Sequence, residues 1–234
     1  MADQLDLTSF VRLRTSLSGS IDSDTVQIIE VACQSIHRWL KYCEYHYSNL
    51  PESDNRADLM LDRLGQYRRK GESVEYRYVY EANIIGFLNS LHALLDSFPY
   101  LLNLVIPKFS NPNATAIRWD AKFIGKYREY EFYDELEAFM LGKTFNILKS
   151  YVNTSKHKHL IRIANNRASL EFEEFEAKLP VRAGSGDIDY LKEPIPRRDA
   201  IQFLAECHDE LVPKFFGLCR TIETSLGASN SVAQ

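Results

Sequence analysis

Val26, Ile29, Cys33, Ile36, Leu40 and Cys43 recur at steps of three and four residues, which brings all six onto one face of an α-helix. A strand, with its period of two, would scatter the same residues over both faces. The spacing predicts a helix over residues 25–47, with Asp22 or Asp24 of "IDSD" placed to accept from the orphan amides at its start. Pro51 and the polar "ESDN" close it.

A shorter helix is expected over 56–69, with Leu59, Leu61 and Leu64 inward, ending in "RRKGES" with Gly71 as the stop. The most apolar helix is expected over 73–98. It bends or breaks at Pro99, and "YLLNLVI" extends it to the Pro107 and "SNPNAT" loop. A fourth helical region, 116–158, is expected with a break near 127–133.

The period then changes. In "LIRIANNRASLEFEEF", Leu170 and Phe172 alternate with Glu171 and Glu173, and "NNR" supplies turn chemistry, so a β-hairpin is expected over about 160–175. The Gly- and Pro-rich "KLPVRAGSGDIDYLKEPIP" reads as loop, before a last helix over 197–226. The expected fold class is therefore mainly α: an N-terminal segment 1–24, one helical domain 25–226 carrying a small hairpin, and a disordered tail 227–234. No fixed-period repeat interrupts this plan.

With 45% hydrophobic residues among 234, the chain can bury a sizeable core. Its formal charge of −4 gives no whole-molecule attraction to nucleic acid, so such binding would need a local basic patch. Cys33, Cys43, Cys207 and Cys219 form no CxxC pair, which fits a reduced, cytoplasmic setting better than a disulfide or zinc framework. "MADQLDLTSF" carries Asp3 and Asp6 and no apolar core, so it is not expected to act as a secretory signal. Residues 84–106 include Asn89, His92, Asp96, Pro99 and Asn103, costly in lipid; a buried helix and no membrane partner are expected.

Two polar constellations stand out. On the third helix Glu81, Asn89, His92, Asp96 and Asn103 fall in one stripe, facing either solvent or a polar cleft. At the end of the fourth, Asn146, Asn153 and His157 fall in another, flanked by Lys149 and Lys156. Asn153 and His157, one turn apart, can address the same small ligand or phosphate, histidine being the side chain that exchanges protons near neutrality.

Two plainer readings stay open there. Lysine and histidine complement the dipole and carbonyls of any helix C-terminus. His157 and His159 would share a face for a metal only on a strand, with Asp96 or Glu81 as remote ligands; no metal or cofactor is expected. The basic runs at Arg68 to Lys70 and Arg197 to Arg198 read as solvated helix ends. Tyr76, Tyr78, Tyr80, Tyr127, Tyr130 and Tyr133 read as core or interface aromatics before base-stacking ones. Phosphate-loop, dinucleotide, serine-hydrolase and zinc-protease motifs are absent from the sequence.

At "VNTSKH", 152–157, the chain resembles the HEPN superfamily of α-helical nucleotide-binding and ribonuclease domains, whose signature is an arginine, a polar residue, three or four positions, and a histidine. The resemblance implies a helical domain over about 25–226 that pairs as a homodimer. In active members, arginine and histidine from two subunits meet and cleave RNA without metal. Asn153 matches the polar position and His157 the histidine; Val152 stands at the arginine.

What the resemblance implies is a metal-independent endoribonuclease, or an RNA- or nucleotide-binding relative, of a toxin or defence system. His157 would be the acid or base, Asn153 would orient the ligand, and Lys149, Lys156 and Lys158 would supply charge. His92, Asp96, Asn89 and Glu81 would form a supporting polar shell. The alternative is a non-catalytic dimeric interaction module with a degenerate site, favoured by Val152, because valine cannot offset charge on a phosphate.

Overall fold

The computed structural model describes residues 7–50, 66–69, 72–165, 169–182 and 188–231. The fold is mainly helical, with a small antiparallel hairpin region before the final helix. The helices are α1 (Leu7–Ser18), α2 (Ser23–Ser48), α3 (Tyr76–Asp96), α4 (Phe98–Val105), α5 (Ala121–Ile124), α6 (Tyr133–Leu141), α7 (Lys143–His157) and α8 (Ala200–Ser231), with a 3-10 turn at Gly125–Tyr127. Among the described residues no helix is long and apolar enough to cross a membrane.

The chain gathers into two compact units: residues 1–39, 93–142 and 211–234, and residues 40–92 and 143–210. In the first, α1 lies inside the expected N-terminal segment 1–24. Phe10 is buried, and the Ser9 hydroxyl donates to Glu223 at 2.6 Å. Asp22 caps α2, accepting from the Thr25 amide at 2.8 Å and the Thr25 hydroxyl at 2.9 Å. Around Trp119 an aromatic core forms with Phe98 and Phe139, and the indole N–H donates to the Leu95 carbonyl at 2.7 Å. Tyr127 is buried beside Phe123 and Phe132 as a core residue.

In the second unit, α2 residues 40–48 and α3 residues 76–92 approach closely at Gly86. A Cβ there would lie 2.5 to 2.7 Å from the His46 ring, so glycine is what lets that ring in. Tyr151, Phe172, Phe175 and Phe203 form the aromatic centre, with ring centroids 4.1 to 5.2 Å from Tyr151. All four cysteines are free and buried; desolvation raises each thiol, Cys33 to about 12, so none is poised as a nucleophile.

Strands β1 (Gln66–Arg69) and β2 (Glu72–Glu75) pair antiparallel where the helical period had been extended to 69 and resumed at 73. The rest of the expected helix over 56–69, with Leu59, Leu61, Leu64 and Lys70, lies outside the described residues. The expected hairpin is present as β3 (Ile163–Asn165) against β4 (Leu170–Phe172), with β7 (Arg198–Asp199) added to β4. The segment read as loop is a longer hairpin, β5 (Phe175–Arg182) with β6 (Ile188–Ile195). Pro180 and Pro194 obscured it, yet a two-stranded sheet has only edges, where a residue without an N–H breaks no second ladder. The final helix continues through Ser231 instead of fraying at 227; residues 232–234 lie outside the described residues.

Candidate functional site

Helix α7 divides the second unit's chemistry. Phe145, Leu148, Tyr151 and Val152 are buried, whereas Asn153, Lys156, His157 and Lys158 are exposed. One helical stripe, Asn146, Lys149, Ser150, Asn153, Thr154, His157 and Lys158, lines an open cleft of about 500 Å³. The opposite wall is the β5–β6 hairpin, contributing Glu176, Lys178, Tyr190 and Lys192. Alternation along β5 explains that wall: Ala177 and Leu179 are buried, so Glu176 and Lys178 turn to the other face. The register then sets Lys178 directly opposite Lys192.

The cleft is strongly cationic, with four lysines and a histidine against one glutamate. Glu176 forms a 2.7 Å ion pair with Lys192. The hydrogen bond from Lys192, with added attraction from Lys192, Lys158 and Lys178, holds the Glu176 carboxyl below its usual range. The C-terminal end of a helix dipole is negative, so α7 itself repels an anion here and the lysines must outweigh it. Tyr190 is 46% exposed and presents a ring to the same cleft.

Of the residues the sequence singled out, Asn153, His157, Lys149 and Lys158 come together in the cleft. Lys156 and His159 are exposed and do not line it; they belong to the helix end, where the Lys158 and His159 amides close on the Thr154 carbonyl. His157 ends the helix and His159 lies beyond it, so the two do not share a strand face for a metal.

The expected polar shell is not assembled at the cleft. Glu81 pairs with Arg77 at 2.7 Å, Asp96 is exposed, and His92 is buried. Asn103 ties down the following turn, accepting from the Lys108 and Phe109 amides at 3.1 and 3.0 Å. Of the stripe, Asn103 alone lies past the end of α3, in the new helix that starts at Phe98.

Asn89 and Val152 line a different space, a cavity of about 10 Å³ with Tyr151, Ser155 and Phe172. The Asn89 Oδ1 and the Tyr151 hydroxyl are buried there without hydrogen-bond partners among the described residues. Val152, at the position where the resemblance calls for arginine, is 2% exposed and faces this interior, away from the cleft-lining stripe.

Sequence reasoning missed the hairpin wall. The signal was present in "FEAKLPV", where Phe175, Ala177, Leu179 and Val181 alternate with Glu176 and Lys178. Near it, a recess of about 400 Å³ includes Lys143, Glu193, Arg198, Asp199 and Glu206. Its charges are of both signs, and Arg198 is spent on Glu206 and the Phe203 ring. Compared with protein-family models, curated proteins and solved structures, the chain finds no significant match.

Proposed function

We propose that this chain is an HEPN-like RNA- or nucleotide-binding protein whose ligand occupies the cleft between α7 and the β5–β6 hairpin. The observation that carries the reading is the convergence of Lys149, Lys158, Lys178 and Lys192 with Asn153, His157 and Tyr190 in one concavity, on a chain whose net charge is −4. A local cationic cleft is the form that phosphate recognition must take when the whole-molecule field is unfavourable. Asn153 offers amide hydrogen bonds to ribose or phosphate, and the exposed Tyr190 ring offers a stacking surface for a base.

His157 is the group in this cleft suited to exchanging a proton with a ligand, as a metal-independent endoribonuclease of a toxin or defence system would require. The burial of Val152 favours binding over cleavage, because no cation stands at the arginine position to offset charge developing on a phosphate. The test is to incubate the protein with labelled single-stranded RNA, with and without chelator, beside His157→Ala. Binding without cleavage in either protein is the expected result. Cleavage that survives chelation and vanishes in His157→Ala would establish the nuclease. No binding at low salt would sink both.

A second reading, a dimeric interaction module, draws on another surface. Ile28 and Val31 are 42% and 53% exposed on α2 and border an open groove of about 590 Å³ with Trp39 and Tyr100. Adjacent apolar side chains left in water suit a contact with a second copy. Sedimentation of the parent beside Val31→Glu tests it; a monomer in both removes the module.

A further inference from the structure

The hairpin wall of the cleft carries an arrangement that is costly unless it has a purpose. Lys178 and Lys192 are directly opposed across β5 and β6, and like charges in that position destabilise a strand pair. Glu176 relieves the repulsion from the next outward position along β5, its carboxylate 2.7 Å from the Lys192 ammonium. Lys158, just past the end of α7, lines the same cleft, and its charge helps to hold that carboxyl below its usual range. Three cations, from β5, β6 and the residue after α7, thus share one cleft with a single carboxylate.

We propose that Lys158, Lys178 and Lys192 form a subsite for a terminal phosphate monoester, and that Glu176 is the anion standing in for it until the ligand arrives. This rests on the reading of the cleft as an RNA or nucleotide site and specifies which part of such a ligand it prefers.

The charge balance selects the monoester. A phosphodiester linkage carries one negative charge, which the carboxylate already matches. A terminal phosphate carries up to about two, with three strong acceptor oxygens that three ammonium groups can address together. Displacing Glu176 costs little, because both partners are exposed, at 63% for Lys192 and 58% for Glu176, and exposed pairs are weak. Nothing else need move: the carboxylate rotates toward solvent and the phosphate takes its place. The carboxyl held ionised by these lysines is the behaviour of a group occupying an anion site.

The experiment measures equilibrium binding of one short single-stranded RNA in two forms, ending in phosphate or in hydroxyl, with inorganic phosphate as competitor. Phosphate-ended RNA should bind on the order of tenfold tighter. Lys178→Gln with Lys192→Gln should weaken both forms and the phosphate-ended one more, so that the two affinities become equal. Glu176→Gln should tighten the phosphate-ended form by roughly threefold, the opposite sign from the lysine variants.

Equal affinity for the two ends in the parent overturns the subsite and leaves the nucleic-acid reading intact. A Glu176→Gln protein that binds the phosphate end no tighter than the parent overturns the stand-in role. If neither RNA binds, inorganic phosphate decides alone: saturable binding that the double lysine variant abolishes supports the subsite although the nucleic-acid reading has failed, and absence of such binding ends both.

Discussion

Val152 and Asn153 are neighbours in the chain, yet one is in the core and the other faces the cleft. About 100° of helical rotation separates adjacent residues, enough to divide α7 into a side governed by packing and a side governed by charge. On the packed side, Phe145, Leu148, Tyr151 and Val152 each remove apolar surface from water, at about 1.5–3 kcal/mol for a fully buried large side chain. On the cleft side, Asn153, His157 and Lys158 are exposed and bury little surface, so they contribute little to holding the fold. The lesson concerns the arginine position: it falls on the packed side, where arginine could not have served a ligand in this cleft.

The largest expected effect breaks that comparison directly. Val152→Arg would force a long charged side chain into a space of about 10 Å³, and should destabilise the protein by more than about 3 kcal/mol through overpacking and burial of charge. Asn153→Arg, one position on, should shift stability by no more than about 0.5 kcal/mol. Urea denaturation of the pair measures both. Equal midpoints would mean that the two sides of α7 are not distinct.

Next in size is the unpartnered hydroxyl in the packed side. A buried polar group without a partner costs about 1–3 kcal/mol, so Tyr151→Phe should leave stability unchanged or raise it by up to about 1 kcal/mol. The cavity beside it is close to the smallest that holds one water molecule. A loss of stability on the same scale would mean that a water bridges Tyr151 and Asn89, and that this polar pair is satisfied.

The cleft side should respond to salt where the packed side does not. Lys158→Ala should alter the urea midpoint negligibly while lowering the slope of log affinity against log salt by about 0.7 for single-stranded RNA, the signature of one lost phosphate contact. An unchanged slope would remove Lys158 from the ligand's footprint.

How much of this was legible follows the same division. The helical period of α2 and the end of α7 were readable because apolar spacing fixes a helix and its inward face together. The same spacing puts Asn153 and His157 on one stripe, and both line the cleft. Lys156 does not line the cleft: helix-end charge and cleft charge look alike in sequence, and only the angle about the axis separates them. Glu81, Asn89, His92 and Asp96 share one unbroken helix but not one environment: Glu81 pairs with Arg77, Asn89 and His92 are turned inward and Asp96 is exposed, and spacing alone does not say what a stripe faces. The β5–β6 wall was hidden by Pro180 and Pro194, which read as loop unless both strands are known to be edges, and that is a tertiary fact. The hairpin's part of the cleft, Glu176, Lys178, Tyr190 and Lys192, therefore lay in a segment where proline signals outweighed the alternation of "FEAKLPV".

The smallest effect is the most specific, because stability and binding should move in opposite directions. Lys178→Thr removes the like-charge pair with Lys192 and places a β-branched residue in a strand, which should stabilise the protein by about 0.5 kcal/mol. The same change takes a cation from the cleft and should weaken RNA binding. Acid should enlarge the stability gain. The Glu176 carboxyl is held below its ordinary range in the folded protein, so its contribution is present above its unfolded value and is lost as pH falls through the lowered folded value. Below that point Glu176 is neutral, Lys178 and Lys192 face each other without its charge between them, and removing one lysine relieves more strain. Thermal unfolding of parent and variant between neutral and acid pH measures this; a stabilisation that shrinks on acidification would show that Glu176 does not hold the two lysines together.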